Sequence, residues 1–245
     1  MREVKPIRPS FVVALLCATL LLAGCSDQQP TGKSPEPPRS KPQPNLIDPW
    51  QVRHNGRTIR EWYLRARDKD LIKTDREAAF QELGRAGKPG LMALFELLSA
   101  SDSELYDPKK WSPNAVQMGF VRWKAAEAFG NLGSVAQVAA PALSNLMLKD
   151  PVADVRIVAS MALAKIGSRD PEVIKALKDA LRGQDIWIWQ GAVSALCKVQ
   201  PLDQESLDLL NNVGNADPYK LGHNDNEWTA VMRARDAVRY CSVKR

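Results

Sequence analysis

One thirteen-residue pattern returns along this chain and restricts its fold more than any other feature. The clearest copy is Val155 to Gly167, VRIVASMALAKIG. Its apolar residues Val155, Val158, Ala159, Ala162, Leu163 and Ile166 follow the i, i+3, i+4, i+7, i+8, i+11 series of a single helix face. Gly167 then supplies a left-handed stop, and Asp170-Pro171 opens another helix. Thirty-four residues earlier the same positions hold Val121, Ala125, Ala128, Phe129 and Leu132. Thirty-three residues later they hold Ile188, Ala192, Ala195, Leu196 and Val199, and forty-two further on Ala230, Ala234, Ala237, Val238 and Cys241. A weaker copy starts at Asp75, where Glu82 interrupts the apolar face. A short helix cannot bury such a stripe alone, so five copies at this spacing predict stacked supersecondary units.

Each copy follows a second amphipathic segment. The apolar faces are Ile59, Trp62, Tyr63 and Ala66; Leu91, Leu94, Phe95 and Leu98; Leu143, Leu146 and Met147; Val173, Leu177 and Leu181; and, most poorly formed, Leu207 and Leu210. The expectation is an all-α chain, an α-solenoid of about five antiparallel helix pairs over residues 52–245. The run D-x-x-x-D-V-R-x-x-A-x-x-A-L-A-x-I-G from Asp150 to Gly167 resembles a HEAT repeat of the short bacterial, PBS-lyase HEAT-like type. The stretch Gly56-Arg57-Thr58-Ile59-Arg60-Glu61-Trp62 is similar to the first helix of exported bacterial HEAT proteins. The resemblance implies a stack that binds other macromolecules and does not imply an enzyme. It also implies that Asp154 and Arg156 belong to the Asp/Arg ladders that tie successive HEAT units together.

Upstream the chain changes character. Arg2, Lys5 and Arg8 precede an apolar run from Phe11 to Ala23, which closes on Leu22-Ala23-Gly24-Cys25. This layout resembles a bacterial lipoprotein signal: residues 1–24 are expected to be cleaved and Cys25 to be acylated, for example with palmitate. The apolar run is too short to span a bilayer, which needs about 20 residues. Ser26 follows the cysteine, which by the enterobacterial sorting rule resembles an outer-membrane address on the periplasmic side. Residues 25–51 carry prolines at 30, 35, 37, 38, 42, 44 and 49 and few apolar side chains, the composition of a disordered tether. At roughly 3.1 Å per residue it could reach up to ~70 Å.

Charge and chemistry narrow the function. Loss of Arg2, Glu3, Lys5 and Arg8 with the leader would lower the formal charge from +6 to +4, with no long basic run that would suggest nucleic acid. The histidines are His54 and His223, neither in a recognisable catalytic signature, and no cofactor motif is present. No catalytic residue is therefore assigned. The loop around His223, Asp225 and Glu227 offers oxygen ligands for a cation but lacks the acidic alternation of a calcium loop, so a simple turn is the expectation.

Two insertions, Ser99 to Gln117 and Gly214 to Glu227, both fall between the helices of a pair and should project from one edge. Trp111, Trp187, Trp189 and Trp228 should crowd that edge, either as a surface for a protein partner or covered by the insertions themselves. Residues two apart on a helix point about 200° apart, so Trp187 and Trp189 cannot both join Ile188 in the core. Cys197 and Cys241 lie on neighbouring second helices. Two separate buried thiols are the default, and a bridge, worth roughly 4 kcal/mol if unstrained, is the alternative.

The resulting expectation is a lipid-anchored, exported scaffold or adaptor that binds a protein partner in the cell envelope, with no nucleic acid involved. A structural module contacting peptidoglycan or glycan is the alternative, and a HEAT-like enzyme subunit the third reading.

Overall fold

The computed structural model describes residues 48–68, 70–101, 119–221 and 224–243. The expected leader, Cys25, most of the tether, Trp111 and His223 lie outside them. Where side chains are concerned, the description ends at Cys241.

Helices form where the apolar period is 3.6 residues and stop where that period breaks. The first helices of successive pairs are α1 (Ile59–Arg67), α3 (Lys88–Leu98), α5 (Ala140–Lys149), α7 (Pro171–Arg182) and α9 (Gln204–Gly214). The second helices are α2 (Lys73–Arg85), α4 (Phe120–Leu132), α6 (Ala153–Ile166), α8 (Ile186–Leu196) and α11 (Asp225–Val243). A one-turn helix, α10 (Pro218–Leu221), sits within the second insertion. Each first helix packs on its own second helix, and the second helices also pack in sequence, α2 on α4, α4 on α6, α6 on α8 and α8 on α11. The chain is an all-α solenoid of five helix pairs among the described residues.

Starts and stops are set by side chains the sequence makes conspicuous. Asp170, Asp185 and Asp203 accept backbone N–H groups at the starts of α7, α8 and α9, satisfying donors that a helix leaves unpaired. Gly167 ends α6 at φ 66° and ψ 48°, the left-handed conformation expected of it.

The core is the repeated stripe. Val155, Ala159, Ala162, Leu163 and Ile166 of α6 are buried, as are Val121, Ala125 and Phe129 of α4 and Ile188, Ala192, Ala195 and Leu196 of α8. Burying one such Val, Leu or Ile side chain contributes roughly 2 kcal/mol. Small residues let the second helices approach closely. A Cβ on Gly191 of α8 would stand 2.2 Å from Ser160 Oγ of α6, and one on Gly130 of α4 would stand 3.0 Å from the Ala162 Cα. Position 191 is therefore closed to any side chain unless α6 and α8 move apart.

The first pair begins differently from the sequence expectation. Before α1 lies a hairpin of β1 (Arg53–His54) and β2 (Arg57–Thr58), antiparallel, with Arg53 opposite Thr58 and His54 opposite Arg57. Asn55 and Gly56 turn between them, both at positive φ. Thr58 then starts α1 with a capping box: its hydroxyl accepts the Glu61 N–H at 3.2 Å, and the Glu61 carboxylate accepts the Thr58 N–H at 2.6 Å.

Candidate interaction surface

A repeat position near the start of the second helices carries Arg76, Arg122, Arg156 and Trp189 in units one to four. Each donates to a carbonyl in the last turn or just beyond the end of the preceding first helix. Arg76 Nε reaches Ala66 O at 3.4 Å, Arg122 Nη1 reaches Ala100 O at 2.9 Å, Arg156 Nη1 reaches Asp150 O at 3.0 Å and Trp189 Nε1 reaches Gly183 O at 3.3 Å. In unit five the same task falls one turn later to Arg235, whose Nε donates to Gly214 O at 3.1 Å. The row satisfies backbone acceptors that a helix end cannot satisfy internally.

Two of these arginines also pair across the helix connections. Arg122 grips Asp150 with two bonds of 2.7 and 3.1 Å, both side chains being 9% exposed or less. Arg156 Nε donates to Asp185 Oδ2 at 2.7 Å. The expected ladder thus exists around Arg156, but its acid is Asp185, the cap of the next second helix. Asp154, placed in the ladder by resemblance, is exposed and makes no such bond. Buried pairs of this kind offset much of their attraction with desolvation, so their contribution lies chiefly in geometry.

That row corrects part of the tryptophan expectation. Trp189 is 8% exposed and occupies an arginine position in the stack, so it is structural and offers no surface to a partner. Its predicted opposition to Trp187 holds: Trp187 is 37% exposed, and Trp228 matches it at 37%. Trp228 lies in the first turn of α11, with the exposed Tyr219 ring 6.4 Å away. Beside Trp187 a recess of about 230 Å³ opens between α6, α8 and α11, walled by Ile157, Gln190, Asn226, Thr229 and Arg233.

A larger groove of about 950 Å³ crosses the C-terminal halves of the same three helices. It shares Gln190 and Arg233 with the recess. Lys165, Arg169, Lys198 and Arg233 line it, facing Asp236 as the one lining carboxylate. Lys165 Nζ donates to Asn131 Oδ1 at 2.9 Å and Lys198 Nζ to Lys165 O at 3.2 Å, both neutral acceptors. Asp236 is already matched by Arg239 at 3.1 Å. Cys197 and Cys241 lie in the same groove and are joined as a disulfide with Cα atoms 5.5 Å apart. The default expectation of two separate thiols is thereby replaced: α8 and α11 approach closely enough at their C-terminal ends to bring the two sulfurs together.

The remaining sequence candidates are quickly placed. Asp225 and Glu227 belong to the first turn of α11, where Asn224 Oδ1 accepts the N–H groups of Asn226 and Glu227 and so caps the helix. Among the described residues no group of three or more His, Cys, Asp or Glu is placed to hold a metal. His54 Nε2 lies 3.1 Å from Glu82 Oε2, and Arg85 and Asn55 donate to the same carboxylate. Glu82, the interruption in the apolar face of α2, is therefore the anchor of the hairpin. Burial alone would raise its pKa, but the donors from Arg85, Asn55 and His54 outweigh that and hold it below the usual range.

Residues 121–149 match the family model for the PBS lyase HEAT-like repeat. The match identifies one HEAT-like repeat within the stack, at residues 121–149. The matched segment runs from α4 through α5, so the family's repeat unit here is a second helix followed by the first helix of the next pair. No curated protein matches the chain. Among the described residues no helix is long and apolar enough to cross a membrane. HEAT-like repeats of this kind serve as helical scaffolds for protein interaction.

Proposed function

We propose that this chain is an exported, lipid-anchored HEAT-like adaptor that binds a protein partner in the cell envelope, acting as a scaffold and not as a catalyst. The observation that carries the binding half is the exposure of Trp187 at a recess between α6, α8 and α11, with Trp228 also exposed in the first turn of α11. A large aromatic ring left partly in water at the mouth of a concavity, as Trp187 is, belongs to the side chains enriched at the centre of protein interfaces. Export is supported by the Leu22-Ala23-Gly24-Cys25 motif and by the Cys197–Cys241 disulfide, a bond that persists in oxidising compartments. Attachment would come through acylated Cys25, with the proline-rich segment 25–51 as spacer.

The decisive experiment crosslinks the C-terminally tagged protein in intact membranes, beside a Trp187→Ser/Trp228→Ser variant of unchanged helicity. A specific protein recovered with the natural sequence and lost with the variant is the expected result. Recovery by both would move the interface off this edge, and sacculi binding that vanishes near ~0.3 M salt would replace the adaptor with a peptidoglycan-binding module. Cys25→Ala should abolish membrane retention; retention unchanged would remove the anchor from the proposal.

A further inference from the structure

Four cations line the groove across α6, α8 and α11, and none of them is paired with a carboxylate among the described residues. Arg169 and Arg233 are exposed and make no hydrogen bond or ion pair among the described residues. Lys165 and Lys198 spend one donor each on neutral oxygens and keep their charge uncompensated. Among the described residues the one lining carboxylate, Asp236, is already matched by Arg239. Elsewhere on the same face the chain balances its cations. Lys124 is held between Glu77 at 2.9 Å and Glu127 at 2.8 Å, and those bonds overcome the effect of burial and raise its pKa. The positive charge is thus left open at one place and closed at another by the same helix layer.

The lining also selects among anions. Besides the cations it includes the amides of Gln190 and Gln200, the apolar Ile166 and Ala237, and the aromatic ring of Tyr240, which is 74% exposed. Amide side chains can pair with peptide N–H and C=O groups, and apolar walls can take side chains, whereas a phosphate polymer would use neither. Adjacent helices lie about 8–10 Å apart, so a ligand crossing three of them spans about 20 Å, or some six residues of extended chain.

We propose that this groove binds an extended acidic segment of the partner protein, about six residues long, whose carboxylates meet Lys165, Arg169, Lys198 and Arg233. The inference rests on the adaptor reading and names the chemistry of the partner that reading leaves open. Arg233, shared by groove and recess, would let a single partner engage both the tryptophan edge and the basic groove.

The test uses the full chain in detergent and a fluorescein-labelled Glu-Ala-Glu-Ala-Glu-Ala peptide, followed by anisotropy at low and at physiological salt. Arg169→Gln/Arg233→Gln should weaken binding about tenfold, the effect of removing two exposed charge contacts, with the melting temperature unchanged. Arg60→Gln/Lys88→Gln, two exposed cations far along the chain, should leave binding as it was. Equal losses in both double variants, or no binding at all, would overturn the groove. So would inorganic polyphosphate or phosphatidylglycerol vesicles that displace the peptide at far lower concentration, which would reassign the site to a phosphate ligand. Cellular crosslinking separates the two readings. A partner kept by the arginine variant but lost by Trp187→Ser/Trp228→Ser overturns the groove and leaves the adaptor intact. Peptide binding that depends on the arginines, with no cellular partner, supports the groove and overturns the adaptor.

Discussion

The two ends of the stack face the same problem and solve it with different chemistry. Units one and five are the weakest copies in sequence, and among the described residues each has a face that no further helix pair covers. At the N-terminal end the chain folds a four-residue ladder before α1, and polar groups tie it to α2 through Glu82. Glu82, its side chain 12% exposed, gathers donors from His54, Asn55 and Arg85, while Trp62 Nε1 donates to His54 O at 2.8 Å. At the C-terminal end the closure is covalent: Cys241 of α11 is bonded to Cys197 beyond α8. The first closure can be undone by protons and the second only by electrons, so the stability of each end answers to a different condition of its surroundings.

The largest effect should follow from breaking the covalent end. Cys197 and Cys241 are 44 residues apart, and closing a loop of that length stabilises by about 4 kcal/mol on the chain-entropy model. Cys197→Ser/Cys241→Ser should lower the urea midpoint accordingly, and reductant should do the same to the natural sequence while leaving the variant unchanged. Amide exchange should show the loss concentrated in α11, with the segment 53–67 protected as before. An unchanged midpoint would mean that apolar packing of Val231 and Ala234 suffices to hold α11.

A smaller effect is expected from the polar end. Glu82→Ala leaves His54 and Asn55 without their shared acceptor, a loss of about 2 kcal/mol for hydrogen bonds to a charged group. The first segment to lose amide protection should be 53–58, with α11 unaffected. Arg85→Ala, at an exposed partner of the same carboxylate, should cost far less. If Glu82→Ala instead lowered protection uniformly along the chain, the hairpin would be a part of the cooperative core and not a separate closure.

The architecture was legible because it is periodic, and what escaped is what the periodicity does not carry. Five apolar stripes with defined spacing announced five second helices, and a single glycine, Gly167, announced where α6 stops. The hairpin was announced only by Asn55-Gly56, since strands of two residues have no alternation to detect. Glu82 looked like a flaw in a stripe because its partners lie 27 and 28 residues away in sequence. At the proposed surface, the period showed that Trp187 and Trp189 must part but not which would be buried. The deciding signal was repeat equivalence: Trp189 stands where Arg122 and Arg156 stand, and an indole N–H can do their work on a helix-end carbonyl. The pairing of Arg156 with Asp185 was hidden for a related reason, because the acid comes from the following cap and not from the same helix.

The smallest expected effect is the sharpest test of the contrast, because acid should open the hairpin closure and spare the disulfide-held α11. Glu82 has a folded pKa below its unfolded value, so its contribution is present above about pH 4.3 and is lost as the pH falls through the folded value. The C-terminal unit has carboxylates of the same kind. Hydrogen bonds from Lys178 hold Asp203 and Glu205 below the usual range, and these tie the start of α9 to α7. Between pH 6 and 3, amide protection corrected for intrinsic rate should therefore fall at 53–58 and at 203–210. It should persist at 230–241, where the disulfide carries no titrating group. In Cys197→Ser/Cys241→Ser that last segment should lose protection along with α9, making both closures acid-sensitive. If 230–241 opens in acid with the disulfide intact, the covalent bond is not what distinguishes the two closures, and the comparison has to be redrawn around the packing of α9 against α11.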